Sequence, residues 1–392
     1  MSRTYSPKTF LRLAPNALLK AYFAKKDLLG EIEFDKLGET NVDPIMQAIN
    51  GLLPGRQTKV EADFRAVNEM ACAAGTRAIL EEGTFHKKDW SKAFEAMKNH
   101  YERAFWTFLH ERDIFEVAGY FTEMDSLGSW RRRFAGRNLK PAVERSDLEA
   151  LEKEVSAHYA KEGRGHHCHV DNYLRQIPER HCYFVYPEDY GTTDMEFDEK
   201  GEFKERSRKP AFEIIFVYRP EEGHLEASAS GKKEQVEALM EVFGKTILGL
   251  PRLPDEEKEP EYNLSGLKNR DFEFRFAVTD GIEAVTVRQL RLDLPGDKGR
   301  RIILQASASP QKPKALYDLL DTALNKENLP LDSLTVSQAK LRIAFKAQPG
   351  QRAKTLTFEV SLPDRCTLKD DPHDQVAKKC LRLSKLTREH DA

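Results

Sequence analysis

The chain has few of the residues that staple secreted domains or build redox centres. Its 392 residues include five cysteines, Cys72, Cys168, Cys182, Cys366 and Cys380, an odd number scattered without a C-x-x-C pair. Reduced thiols in a cytoplasmic protein are the expectation. Long apolar runs are missing as well. The N-terminal stretch is interrupted by Arg12, Pro15, Asn16 and Lys20, so no signal-peptide core forms. Nothing approaches the roughly 18 apolar residues of a membrane span, and no membrane partner is expected. Neither sign of charge is in excess: 62 Lys and Arg face 64 Asp and Glu, a net charge of -2. That balance excludes a protein that coats nucleic acid with its whole surface, and it leaves room for a local basic patch.

Motifs that carry chemistry are also absent. There is no G-x-x-x-x-G-K-[ST], no G-x-G-x-x-G between a strand and a helix, and no G-x-S-x-G elbow. H-E-x-x-H is missing, as is the H-x-E with paired cysteines of a zinc deaminase. Ala-Ser-Ala-Ser occurs twice, at Ala227–Ser230 and Ala306–Ser309. Small residues let a strand end pass under its own helix, and Ser230 and Ser309 are placed to cap that helix. Duplication favours packing over a nucleophile. No cofactor is expected from these searches, zinc being the one candidate to weigh.

What is present is a large aromatic and charged inventory. A hydrophobic share of 40% with 22 Phe, 12 Tyr and 3 Trp is too apolar for a disordered chain, and the length exceeds what one core supports. Residues 1–165 read as helices. Ser6-Pro7 and Asn41–Pro44 look like helix starts, Thr58–Glu61 and Ser146–Glu149 like capping boxes. Val60, Phe64, Val67, Ala71, Ala74 and Ala78 recur at helical spacing. So do Trp90, Phe94, Met97, Tyr101, Phe105 and Phe108, a stripe read as core rather than as a stacking platform.

After Gly165 the pattern turns strand-like. Ala211–Leu248 reads strand, turn, strand, helix, and Val285–Leu324 repeats it; a third copy begins at Leu341 and turns at Pro349-Gly350. The expected architecture is α+β: an N-terminal all-α domain (1–165), a first α+β unit with a His-rich entry and a hairpin (166–250), and second and third β-β-α units (261–392). The tandem units should form antiparallel sheets backed by helices, with one face open. Pro251–Pro260 separates the first unit from the second.

Two stretches are candidate sites. Ser129–Lys140 is the densest basic run, with Arg131, Arg132, Arg133, Arg137 and Lys140 interleaved with Trp130 and Phe134, suited to phosphates and bases. His166–Asp171 with His181 and Cys182 gathers imidazoles and thiols, from which His167, His169, His181 and Cys182 could hold zinc. Nearby Glu188, Asp189, Asp194 and Glu196 would serve a hydrolytic ion. The expectation is a non-enzymatic binding or assembly protein, a subunit of a larger complex, that contacts a protein partner or nucleic acid. Basic turns at Lys298–Arg301 and Lys346–Lys354 would assist. A metal-dependent hydrolase or nuclease built on residues 166–189 is the alternative.

Overall fold

The computed structural model describes residues 4–128, 130–198, 201–255, 261–296, 299–307, 312, 314–325, 327–347 and 353–388. It is an α+β chain, helical at the N-terminus and followed by antiparallel sheets with helices. Contacts divide it into two compact units, Met1–Pro254 and Asp255–Ala392. Ser309, Lys298 and the turn Pro349-Gly350 lie outside the described residues, as do residues 256–260 of the proline-bounded linker.

In the first unit, Pro7 opens α1 (Pro7–Leu13), followed by α2 (Asn16–Lys25) and by α3 (Asp43–Asn50), in which Pro44 occupies the first turn. The single helix expected from Val60 to Ala78 is two. They are α4 (Pro54–Met70) and α5 (Ala73–Phe85), broken where the Cys72 thiol accepts the Gly75 amide at 3.3 Å. Proline, tolerated only in a first turn, starts α4 at Pro54. Thr58 is therefore inside the helix, donating back to the Pro54 carbonyl at 2.9 Å rather than forming a capping box.

The aromatic stripe is likewise split, into α6 (Ser91–Ala96) and α7 (His100–His110). Asn99 makes the break: its Oδ1 accepts the Glu102 amide at 2.9 Å and its Nδ2 donates to the Leu13 carbonyl at 3.1 Å. Asn99→Ala should cost about 1 kcal/mol, read as a lowered unfolding midpoint. The stripe's rings are core, with Phe105 packed 5.7 Å from Phe10 and 6.0 Å from Phe64, centroid to centroid.

Helix α8 (Arg112–Ser126) leads into β1 (Arg131–Phe134), then α9 (Arg145–Ala160), which begins before the second expected capping box at Ser146. Strands β2 (Cys168–Gln176), β3 (Glu179–Pro187), β4 (Thr192–Phe197), β5 (Phe203–Arg208), β6 (Ile214–Arg219) and β7 (His224–Ser228) precede α10 (Lys233–Thr246). Among them β4 and β5 pair only with each other, and the rest form an antiparallel sheet in the order β1-β7-β6-β3-β2. Both faces of this sheet are covered. Tyr183, Val185, Ile214, Phe216 and Leu225 pack on Leu151 and Val155 of α9 and Leu239 and Phe243 of α10. Cys182, Phe184, Ile215 and Val217 pack on Phe121 and Met124 of α8. The open face expected of the first unit is thus filled by a helix from the N-terminal region. Gly165, the expected break, falls inside the first unit, and β1 and α9, expected in an all-helical segment, belong to the sheet layer.

The second unit holds β8 (Ile282–Asp293), β9 (Arg301–Gln305), α11 (Ala315–Ala323), β10 (Thr335–Phe345), β11 (Thr355–Ser361), β12 (Arg365–Cys366) and α12 (Pro372–Leu383). Its antiparallel order is β12-β11-β10-β8-β9. Strand alternation sends Leu290, Leu292, Ala339, Leu341, Ile343, Phe358 and Val360 to one face, against Leu316 and Leu320 of α11 and Ala377 and Leu381 of α12. The three expected β-β-α repeats are β6-β7-α10, β8-β9-α11 and β10-β11-α12. Ser230 does not cap α10; the Gln235 side chain instead accepts the Lys232 amide at 2.9 Å. Among the described residues, no helix is long and apolar enough to cross a membrane.

Candidate nucleic-acid interface

The basic run is structured by β1, whose four residues pair with Ala227, Glu226, Leu225 and His224 of β7. Alternation divides its arginines between the two faces of the sheet. Arg131 and Arg133 point to the α10 face, where Arg131 meets Glu237 and Nη1 of Arg133 meets Glu241 at 2.7 Å. Glu241 also accepts the Leu253 amide at 2.9 Å, and Nη2 of Arg133 donates to the Pro254 carbonyl at 2.8 Å. Burial alone would raise the Glu241 carboxyl; the Leu253 amide and Arg133 outweigh it and hold the group below its usual range.

On the opposite face, Arg132 donates two hydrogen bonds to Oε1 of Glu226, at 2.8 and 2.6 Å. Arg219 donates to Oε2 of the same carboxylate at 2.9 Å. The run therefore spends Arg131, Arg132 and Arg133 on Glu237, Glu226 and Glu241. Only Arg137 and Lys140 of the five candidates stand exposed, in the loop after β1. Trp130 packs with Phe121 and Met124, and the Phe134 ring lies against His224. Neither is laid out as a base-stacking surface.

The proposed zinc donors do not converge. His181 and Cys182 are neighbours on β3, so the pleat sends them to opposite faces: His181 lies across from Leu174, while Cys182 is fully buried beside Phe184. Burial pushes the Cys182 thiol up to about 11, against metal-binding thiolate character. His169 pairs with Tyr186, five residues along β2 from Leu174, or about 16 Å at 3.3 Å per residue. One zinc with ligands at about 2.0–2.3 Å cannot bridge that gap. His167 is 89% exposed and lies 3.8 Å from Glu188. The acids of the alternative site each have a base: Glu188 with Lys209 at 2.6 Å, Asp189 with Arg164 at 3.2 Å, Asp194 with Arg208 and Glu196 with Arg206 at 3.5 Å. Among the described residues, no group of three or more His, Cys, Asp or Glu is arranged to hold a metal ion.

Positive charge in excess of acid is found instead on the second unit's sheet, on the face turned away from α11 and α12. The register sets Arg291 beside Ile303 and Gln338, Lys340 between Gln289 and Glu359, and Arg342 between Thr286 and Thr357. Arg301 and Arg365 extend the set to the outer strands, opposite Asp293 and Ser361. Five cations, Arg291, Arg301, Lys340, Arg342 and Arg365, thus share a face with two carboxylates, Asp293 and Glu359. The bulge residues Glu283 and Arg288 add one charge of each sign.

Lys340 is bound to Glu359 at 2.7 Å, which holds that carboxyl below its usual range. Arg291 donates to the Ser337 hydroxyl at 2.9 Å. Arg291, Arg301, Arg342 and Arg365 form no salt bridge among the described residues. The other open-face positions are mostly hydroxyls and amides, Thr286, Thr335, Thr355, Thr357, Ser361, Gln289, Gln305 and Gln338, with the apolar Ala284, Ala344 and the exposed Ile303 among them. The expected basic turns flank this face, with Arg301, Lys346 and Lys354 exposed. The signal was present in the sequence as the alternation Lys340-Leu341-Arg342-Ile343. No family model and no curated protein matches the chain.

Proposed function

We propose that this protein is a non-enzymatic nucleic-acid-binding component of a larger assembly, and that it holds the phosphate backbone on the open face of the second unit's sheet. The observation that supports this reading is the set Arg291, Arg301, Arg342 and Arg365, four guanidinium groups on one face without a carboxylate salt bridge among the described residues. Neighbouring strands lie about 4.8 Å apart and alternate residues about 6.6 Å apart, so the cations form a flat lattice rather than a pocket. Guanidinium groups fork onto phosphate oxygens, and the surrounding hydroxyls and amides add neutral donors. None of the described residues on that face is aromatic. Base stacking is therefore not available there, and binding should be governed by charge more than by sequence.

The test is fluorescence anisotropy with a labelled single-stranded oligonucleotide and its duplex, between about 50 and 200 mM salt. The logarithm of the binding constant should fall linearly with the logarithm of salt concentration. In the combined variant Arg291→Ala, Arg301→Ala, Arg342→Ala and Arg365→Ala the slope should flatten by about one for each arginine removed. A folded variant with an unchanged slope, or a native protein that binds neither oligonucleotide at about 50 mM salt, would defeat the reading.

A further inference from the structure

The first unit's sheet ends on one side in an edge that is only partly covered. Strand β2 is outermost, nine residues long, and its sheet partner is β3. The Val170 amide points away from β3, because it donates to Oε1 of Glu152 on α9 at 2.9 Å. In an antiparallel ladder every second residue shares that direction, so the backbone amides and carbonyls of Asn172 and Leu174 also face outward. Glu152 occupies the first of these positions. Among the described residues no hydrogen-bonding group covers the outward backbone of Asn172 or Leu174.

Native sheets usually blunt such an edge with a short strand, proline or a covering element. Here two different environments border it. On the α9 side a cavity of about 490 Å³ is lined by the apolar Leu139, Pro141, Val143 and Leu174 together with Lys140, Asn172, Glu179 and His181. The loop forming its far wall is fixed, since the Leu139 amide donates to the Tyr218 hydroxyl at 3.0 Å and the Tyr183 hydroxyl donates to the Ala142 carbonyl at 2.7 Å. On the α8 side Asp171 and Tyr173 face Glu116 and Tyr120, with Glu123 and Glu213 near by. Of these four acids, Glu116 is held by Arg112 at 2.6 Å and Asp171 lies 3.1 Å from His169.

We propose that β2 receives an extended segment of a partner protein as a sixth strand, one in which an apolar residue alternates with lysine or arginine. Backbone hydrogen bonds to Asn172 and Leu174 hold the segment, and period-two alternation directs its side chains. The apolar residue enters the cavity beside Leu174; its neighbours face Asp171 and the acids behind it. A second copy of this chain fits less well, because a two-fold pairing of β2 with β2 would bring the two acidic sides together. The inference rests on the first unit alone and is independent of the polyanion-binding face.

The experiment uses the full chain and a fluorescent synthetic peptide alternating leucine with lysine. The expected result is saturable binding that weakens at least tenfold in Asn172→Pro, which removes one outward amide not used by the β3 ladder. A similar loss is expected in Asp171→Lys, whose side chain is 37% exposed and can turn to solvent. A peptide methylated on alternate backbone nitrogens, with every side chain kept, should lose binding to the native protein. Circular dichroism melts establish that both variants fold. Binding that survives both Asn172→Pro and backbone methylation would overturn the proposal, as would no binding of the unmodified peptide. A concentration-dependent dimer abolished by Asn172→Pro would overturn it in favour of self-pairing.

Discussion

Glu226→Ala is expected to destabilise residues 1–254 by about 3–5 kcal/mol, the range for removing one partner from a buried charge cluster. Glu226 is 6% exposed and Arg219 7%, and the same carboxylate receives Arg132 from the neighbouring strand. Truncation leaves two guanidinium groups facing each other across a site that water barely reaches. Burial would by itself raise the Glu226 carboxyl, but Arg219 and then Arg132 outweigh it and hold the group far below the usual range. A carboxylate with a depressed folded pKa contributes stability that is fully present above its unfolded value, about 4.3, and is lost as pH falls through the folded one. The native protein should therefore lose stability steadily below about pH 4, and the variant should lack that share of the acid loss. Trp90, Trp106 and Trp130 are the only tryptophans and all lie in the first unit, so their fluorescence in a urea titration follows its unfolding. A loss under about 1 kcal/mol at neutral pH would mean that the cluster is hydrated and the account is wrong.

The parts of the fold that were legible are those fixed by local period. Strand-turn-strand-helix reads from the switch between period two and period 3.6, and the strands and helix of all three copies form. Helix ends were less legible, because Ser/Thr-x-x-Glu also occurs inside helices. Pro54 overrides Thr58, and Asn99 breaks a stripe whose apolar spacing runs on through it. Coverage of the first sheet by α8 is a non-local fact. Its trace in the sequence is the run Ile214–Tyr218, apolar without alternation, which marks a strand buried on both faces.

The candidate sites divide in the same way. Arginines at 131 and 133 share one side of a strand, and Glu237 and Glu241 share one side of a helix, so the two pairs match once β1 lies beside β7. Nothing near Arg131 in sequence announces partners about a hundred residues away. Zinc donors chosen by residue type failed for a local reason, the strand's alternation across His181 and Cys182. The basic sheet face is readable from strand alternation alone, but charge density drew attention to runs and turns, whereas its cations are spaced by two.

Gly223→Ala should cost about 2–5 kcal/mol and should also release the basic run. Gly223 turns β6 into β7 at φ +74°, a left-handed conformation that costs a residue with a side chain about 1–2 kcal/mol. A Cβ there would lie 2.6 Å from Phe134 Cε2, 2.8 Å from Arg137 Cγ and 3.0 Å from the Gly136 carbonyl carbon, so the Phe134 ring and the loop after β1 must give way, and β1 is expected to shift with them. The same glycine's carbonyl accepts the Ala135 amide at 2.8 Å, which ties the end of β1 to the turn. Displacing β1 separates Arg131, Arg132 and Arg133 from Glu237, Glu226 and Glu241. Amide hydrogen exchange across Arg131–Phe134 should quicken more than at the centre of β3. The variant should also gain oligonucleotide affinity, and adding Arg131→Glu, Arg132→Glu and Arg133→Glu should remove that gain. Unchanged exchange at β1 would show that the turn absorbs the methyl group without moving the strand. The positive charge of this run is thus kept against its carboxylates by a backbone geometry that only glycine adopts at low cost, whereas Arg291, Arg301, Arg342 and Arg365 on the second sheet form no salt bridge among the described residues.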